Sequence, residues 1–325
     1  MTVWVAEPVS PLFWRSLRRM DEAVYVDGRA LAHGELPAGR RPWALVVRNR
    51  TEVGSPLLAR LAPELRVLAR LGSGLDNVDL EAARRLRVEV LAAPGENAEA
   101  TAEFTWTLAL AAARQLHRAL GSSRATASER LELAGRELAG ATWGVVGFGA
   151  VGRRVATLAG AWGLTVLALP PRSLSEPPPA GVRWSELDQL IARSDVVSLH
   201  LPLTRETHHL LGEERFRLFR RGSILVNTAR GNLLDEEALA RALERGRPAV
   251  AALDVRKEPP PRPDPLAGHP RVLLTPHVAG WSREALARIE RRLLLELGRR
   301  LPGSAAPAGR RPHRLGRSGG AQPSR

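Results

Sequence analysis

The sequence predicts an α/β protein of two doubly wound parallel-sheet domains with a cleft between them, and three observations predict it. Short apolar runs alternate with amphipathic segments from residue 3 to residue 92, a stronger alternation begins at residue 142, and a long alanine- and leucine-rich segment separates the two. Parallel strands need a crossover of a dozen or more residues, usually a helix, so this alternation indicates parallel pairing.

The elements follow in order. VWVA at 3–6, WALVV at 43–47, VLAR at 67–70 and VEVLA at 88–92 read as strands, with pieces such as LEAARRL at 80–86 as helices between them. A first domain is expected over 1–96. A long helix is expected from Ala98 to Leu120, apolar enough for burial between domains. TWGVVGF at 142–148, LTVLAL at 164–169, DVVSLHL at 195–201, SILVNTA at 223–229, AVAALDV at 249–255 and VLLTP at 272–276 give six strands of a second domain over 97–282. Both domains are of the Rossmann-like or flavodoxin-like kind. A last helix over 283–302 completes the first domain, and residues 303–325, rich in Pro, Gly, Ala and Arg, are expected to be a disordered tail.

With 325 residues and 44% hydrophobic content the chain can bury a large core. No apolar run reaches the length of a membrane span, and Glu7 interrupts any signal-like start, so a cytoplasmic protein without membrane contact is expected. The absence of cysteine excludes disulfides, thiol nucleophiles and Cys-based metal centres. The net charge of +14 comes almost wholly from arginine, since Lys257 is the one lysine, and part of it lies on the tail. No aromatic-interleaved basic patch accompanies that charge, so nucleic acid is not the expected partner. The positive field instead favours small anions.

GVVGFGAVGRR places Gly147, Gly149 and Gly152 in the order G-x-G-x-x-G between an apolar strand and a helix. The first glycine allows the tight turn, the second lets backbone approach a pyrophosphate, and the third packs helix on strand. The helix N-terminus offers free N–H groups to the phosphates, so an NAD(P) coenzyme is expected. About twenty residues on, an acid usually grips the ribose, but here the strand ends in Pro170, and no Asp or Glu occurs before Glu176. Arg172 and Ser173 follow directly and can pair with a ribose 2′-phosphate, which favours NADPH over NADH; the alternative is that Arg172 is a solvated loop residue.

Four more segments fall in one order: RLGSGLDNVD at 70–79, NAEATAEFT at 97–105, NTARGNLLDEEAL at 227–239, and ALDVRKEP followed by LTPHVAG at 252–280. Together with the glycine turn they resemble the D-2-hydroxyacid dehydrogenase family over roughly residues 43–300. The resemblance implies a catalytic Arg230, Glu258 and His277, in a homodimer that reduces a small anionic 2-oxo acid to the D-2-hydroxy acid. It makes residues 1–96 the substrate-binding domain. It assigns Gly72, Ser73, Gly74 and Arg230 to the substrate, with Asn77, Asp79, Asn97 and Glu103 as organisers of the hinge. To the coenzyme it assigns Ala150, Val151, Leu201, Pro202, Thr207, Thr228, Ala229, Asp254, His277 and Gly280 beside the three glycines.

The residue chemistry suits these roles independently. A guanidinium can anchor a carboxylate and polarise a carbonyl, an imidazolium can protonate the carbonyl oxygen, and a carboxylate beside it fixes its tautomer. Each residue also has an ordinary reading: Arg230 as the partner of Asp235, Glu258 as a loop charge, His277 as a packed residue after a strand. Arg48 is read either as an anion recruiter in the cleft or as a surface residue. His200, His208 and His209 lack carboxylates at metal-ligand spacing and are expected to be surface or packing residues, with no metal bound. The sequence departs from the family where the aromatic after Asp-Val is Arg256 and where the stretch from Asp254 to Glu258 is one residue short. A non-enzymatic dinucleotide-sensing or corepressor-like role on the same fold is the alternative to an enzyme.

Overall fold

The computed structural model describes residues 1–39, 41–120, 126–171, 177–257, 260 and 263–301. Arg172, Ser173, Glu258 and the tail at 303–325 lie outside the described residues. The chain divides into two compact units. One comprises Met1–Leu71, Leu75–Ala92 and the chain from Glu290 onward; the other comprises Gly72–Gly74 and Ala93–Ile289.

In the first unit, β1 (Thr2–Val5), α1 (Pro11–Met20), β2 (Glu22–Tyr25), α2 (Gly28–Ala32), β3 (Ala44–Val47), α3 (Ser55–Leu61), β4 (Val67–Arg70), α4 (Leu80–Arg85) and β5 (Glu89–Leu91) alternate along the chain. The five strands are parallel in the order β2-β1-β3-β4-β5. This is the flavodoxin-like order. β1 and β3 are buried along their whole length, as strands covered on both faces must be. β2 escaped the sequence reading because EAVY is an edge strand with three exposed residues, so burial imposes no continuous apolar run on it.

The second unit holds α5 (Ala98–Ala113), α6 (Leu116–Ala119), α7 (Ala127–Glu132), β6 (Thr142–Val146), α8 (Ala150–Ala161), β7 (Thr165–Ala168), β8 (Val182–Trp184), α9 (Leu187–Arg193), β9 (Val196–Leu199), α10 (Glu213–Leu218), β10 (Ile224–Asn227), α11 (Glu236–Glu244), β11 (Val250–Leu253) and β12 (Val272–Leu274). Its strands are all parallel in the order β12-β11-β10-β9-β6-β7-β8, the Rossmann order carried one strand further. The chain reverses direction across the sheet between β6 and β9, the switch point where such sheets receive ligands. The seventh strand, β8, was not expected; it too is a short edge strand, and Arg183 at its centre is exposed.

The expected helix over 98–120 is corrected. α5 ends at Ala113 because Gln115 takes φ 51°, in the left-handed region, and its Nε2 donates to the Ala134 carbonyl at 2.9 Å; α6 is a separate turn. Two apolar clusters form the core of this unit, one built on α5, α8 and Trp143, the other on Phe216, Phe219 and α11.

The last helix, α12 (Arg283–Arg300), brings Glu290 to the first unit. Glu290 accepts from the Ser10 N–H at 3.0 Å, the Ser10 hydroxyl at 2.5 Å and Arg48 Nη2 at 3.1 Å, and both charged side chains are 8% exposed. Arg48 Nε also donates to the Pro8 carbonyl at 2.9 Å, while Glu7 accepts its backbone N–H at 2.8 Å. Burial lowers the pKa of Arg48 against the opposing pull of Glu290 and Glu7. Arg48 is therefore not the surface residue of the sequence reading.

Removing one partner of a buried pair strands the other charge. Glu290→Ala is expected to lower the unfolding free energy by about 3 kcal/mol, read as a lower urea midpoint. Glu296→Ala, which breaks pairs with Arg299 and Arg300 at the surface, is expected to cost under about 1 kcal/mol.

Candidate active site

The turn after β6 admits only glycine at two of its three glycines. Gly147 sits at φ 103°, where a Cβ would lie 2.8 Å from the His200 carbonyl carbon and oxygen. A Cβ on Gly152 would lie 2.0 Å from the Gly147 carbonyl oxygen, so α8 rests directly on the turn. Gly149 differs. It caps α8 without a side chain, and a Cβ there would meet nothing within 4 Å. The space beside Gly149, bordered by the opening residues Ala150 and Val151 of a twelve-residue helix, fits a dinucleotide pyrophosphate.

The residues expected to carry chemistry lie after β10, β11 and β12, at the same carboxyl edge of the sheet as the glycine turn. After β10, fully buried Asn227 braces its own turn: its Oδ1 accepts the Ala229 N–H at 3.0 Å, and its Nδ2 donates to the Arg230 carbonyl at 2.8 Å. Thr228 is held at 2.9 Å by Thr105 of α5. Arg230 is half-buried, with Nη1 donating to the Ala229 carbonyl at 2.6 Å. A Cβ on Gly231 would lie 2.1 Å from the Arg256 carbonyl, so this turn packs directly on the segment after β11.

In that segment Arg256, which replaces the usual aromatic, forms a two-pronged pair with Glu236 at 2.8 and 2.7 Å and reaches Asp264 at 2.8 Å. Glu236 also accepts the Lys257 N–H at 2.8 Å. These hydrogen bonds hold the Arg256 guanidinium firmly charged and hold Asp264 below its ordinary pKa. Arg256 thus pins the chain immediately before Glu258.

Asp254, 1% exposed, organises the turn after β12. Its Oδ1 accepts from Thr275 Oγ1 at 2.6 Å and the Val278 N–H at 2.9 Å, and its Oδ2 accepts the Ala279 N–H at 2.8 Å. His277, between them, has φ 58° and donates its N–H to the Asp254 and Thr275 carbonyls at 2.9 and 3.0 Å. A non-glycine residue in the left-handed region is strained, and such strain persists only where the surroundings hold it. The result is an exposed imidazole on a braced loop.

Gly72, Ser73 and Gly74 belong to this second unit although their chain neighbours do not. Ser73 Oγ lies 2.5 Å from Asn97 Oδ1 and 3.1 Å from the Ala93 carbonyl. A Cβ on Gly280 would lie 2.6 Å from Asn97 Nδ2, so Ser73, Asn97 and Gly280 come together. Of the other expected coenzyme residues, Leu201 and Ala229 pack on the core, and Thr207 Oγ1 donates to the Pro202 carbonyl at 2.7 Å, closing its own loop. Asn77 and Asp79 serve the first unit locally: Asn77 binds the Arg48 and Thr51 carbonyls, and Asp79 caps α4. Glu103 is exposed. Among the described residues no group of His, Asp or Glu is placed to hold a metal.

His208 and His209 stack at 4.0 Å on the surface. His200 instead sits behind the glycine turn, where Ser198 Oγ joins its Nε2 to Trp143 Nε1, each at 2.8 Å. Desolvation pushes the His200 pKa down to about 3. The unfolded chain takes up this proton near pH 6.5 and the folded protein does not. Stability is therefore expected to fall as pH drops from about 6.5 towards 3, and His200→Gln is expected to flatten that fall in urea titrations at pH 7.5 and 5. The glycines give a second contrast. Gly149→Ala is expected to keep the wild-type unfolding midpoint but to weaken coenzyme binding about tenfold or more, whereas Gly152→Ala is expected to cost about 3 kcal/mol of stability.

Residues 106–279 match the family described as D-isomer specific 2-hydroxyacid dehydrogenase, NAD binding domain. The chain is 41% identical over 263 residues to the glyoxylate reductase of Aeropyrum pernix, covering 78% of each. It is 39% identical over 287 residues to the D-3-phosphoglycerate dehydrogenase of Archaeoglobus fulgidus, covering 88% of this chain and 54% of that protein, so it spans about half of that relative. The crystal structure of the D-lactate dehydrogenase of Aquifex aeolicus, complexed with NAD and lactic acid, is similar with a TM-score of 0.75 and 28% identity, covering 92% of this chain and 95% of that one. With its glycine turn at the switch point of an all-parallel sheet, the chain belongs to the D-isomer-specific 2-hydroxyacid dehydrogenase family and contains its NAD-binding domain.

Proposed function

We propose that this protein is a cytoplasmic reductase that converts a small 2-oxo acid to the D-2-hydroxy acid with a nicotinamide coenzyme. The observation that carries the reading is the convergence of Arg230, Asp254 and His277 after successive strands at the carboxyl edge of one sheet, the edge that also holds the glycine turn. The names of the glyoxylate reductase and D-lactate dehydrogenase relatives support the substrate class.

A bound nicotinamide supplies the hydride that reaches the carbonyl carbon. Arg230 holds the substrate carboxylate and draws electron density from the carbonyl, and His277 gives its proton to the carbonyl oxygen. The backbone N–H groups of Gly72–Gly74 add a second hold on the carboxylate. Glu258 acts on His277 as the family pattern implies, fixing which ring nitrogen carries the proton. Asp254 acts through the loop it braces, setting the position of the imidazole.

The coenzyme preferred is NADPH. The support is the lack of any Asp or Glu between Gly147 and Glu176, with Arg172 and Ser173 following Pro170. Exposed Leu116, Leu131 and Trp162 give the second unit apolar surface for a homodimer. No described helix is long and apolar enough to cross a membrane.

The test is a reductase assay with glyoxylate, hydroxypyruvate, pyruvate and an aromatic 2-oxo acid, each with NADH and NADPH. Turnover is expected with at least one acid, at higher kcat/KM with NADPH, and Arg172→Ala is expected to reverse that order. His277→Gln is expected to lower kcat by about 10²–10⁴. Tight coenzyme binding with no turnover across the panel would point instead to a dinucleotide-sensing protein.

A further inference from the structure

A cavity of about 470 Å³ opens at the opposite end of the seven-stranded sheet from the glycine turn. Its floor is apolar: Ala112 and Ala113 from the end of α5, with Ile224 and Val250, the first residues of β10 and β11. Thr228 and Asp254 follow the last residues of those same strands. Four residues of strand span about 13 Å, so the cavity is separate from the coenzyme edge.

Arg118, Arg136, Arg221 and Arg271 surround the opening, and among the described residues no Asp or Glu lines it. Their charges are poorly compensated. Arg136 lies 3.3 Å from Asp195, a carboxylate that also serves Arg220 at 2.9 Å. Among the described residues Arg118 binds the Gln115 amide oxygen at 2.5 Å and the Glu132 carbonyl at 3.4 Å, and Arg271 donates to the Leu243 carbonyl. Arg221 makes no hydrogen bond or ion pair among the described residues and is exposed.

His117 supplies an independent sign of a ligand. Both its ring nitrogens are buried in the cavity wall, and the one carbonyl beside them, that of Pro270, can serve only one of the two. A buried, unsatisfied polar group costs free energy and calls for an explanation, and a ligand oxygen would supply the missing partner. Burial also lowers the pKa of this ring, outweighing a hydrogen bond to the Pro270 carbonyl.

We propose that this cavity is a binding site for an organic phosphate, its oxyanion among the four guanidiniums and His117 and its apolar body on the Ala112, Ala113, Ile224 and Val250 floor. The rim suits a dianion, because guanidinium forks match phosphate oxygens in pairs. The volume and apolar floor leave room beyond the phosphate itself, and the cavity is within the usual size of small-molecule sites.

Phenyl phosphate is the probe, titrated calorimetrically into the full chain with saturating NADH present to occupy the coenzyme edge. The expected result is one saturable site, at least about tenfold tighter than for inorganic phosphate and absent for phenol. Arg118→Gln with Arg221→Gln, both on exposed side chains, is expected to weaken binding about tenfold or more, and His117→Phe, which keeps the ring volume, by about fivefold or more. NADH affinity should be the same in every variant. No saturable binding, displacement of phenyl phosphate by NADH, or wild-type affinity in the Arg118 and Arg221 double variant would each overturn the proposal.

Discussion

The contact between Gly152 and the carbonyl of Gly147 fixes more of the second unit than any other. Because no Cβ intervenes, α8 leaves the turn already lying on β6. α5 then packs along α8, with Trp106 lodged at a tilt between Trp143 of the sheet and Trp162 at the helix end, at centroid distances of 4.5 and 5.2 Å. Once α5 is placed, Asn97 at its start meets Ser73 and Gly280, and Thr105 further along meets Thr228. A side chain at residue 152 would move all of these together.

The residues that face solvent at the carboxyl edge are held by residues that do not. Asn227 holds the turn that presents Arg230, Asp254 holds the turn that presents His277, and Glu236 holds Arg256 just before Glu258. Each brace is nearly or fully buried, with its polar atoms satisfied by backbone groups, by the Thr275 hydroxyl or by a single guanidinium. Buried polar groups of this kind rigidify only when every partner is present. The Arg230 and His277 side chains remain accessible while their backbones are held.

Both sheets were legible in the sequence because central parallel strands, covered on two faces, must be nearly continuous apolar runs. β2 and β8 were not, since an edge strand with exposed residues carries no such run. The end of α5 was hidden for another reason: Gln115 stops the helix through a tertiary bond to Ala134, which no local propensity encodes. In the site, the glycines could be read because their spacing is itself a steric demand. Asn227 was overlooked, although a lone polar residue closing the apolar strand ILVN was a signal available at the outset. What Asp254 does for the His277 loop, with both its oxygens engaged there, was not legible, because only the fold brings the two segments together. Arg256 looked like a defect in the pattern, because only the fold brings Glu236 and Asp264 beside it.

The buried carboxylate of Glu290 bears on how the chain is made. The first unit is built from residues 1–71 and 75–92, yet its acceptor for Ser10 and Arg48 arrives only after residues 93–289 have been synthesised. At about 5–20 residues per second, the interval on the ribosome is roughly 10–40 s. Throughout that time the Arg48 guanidinium has no partner from α12, so the nascent sheet pays for burying the charge or leaves it in water. The N-terminal unit, first to emerge, is therefore the last to close, and a chain cut short before α12 carries its own mark of incompleteness.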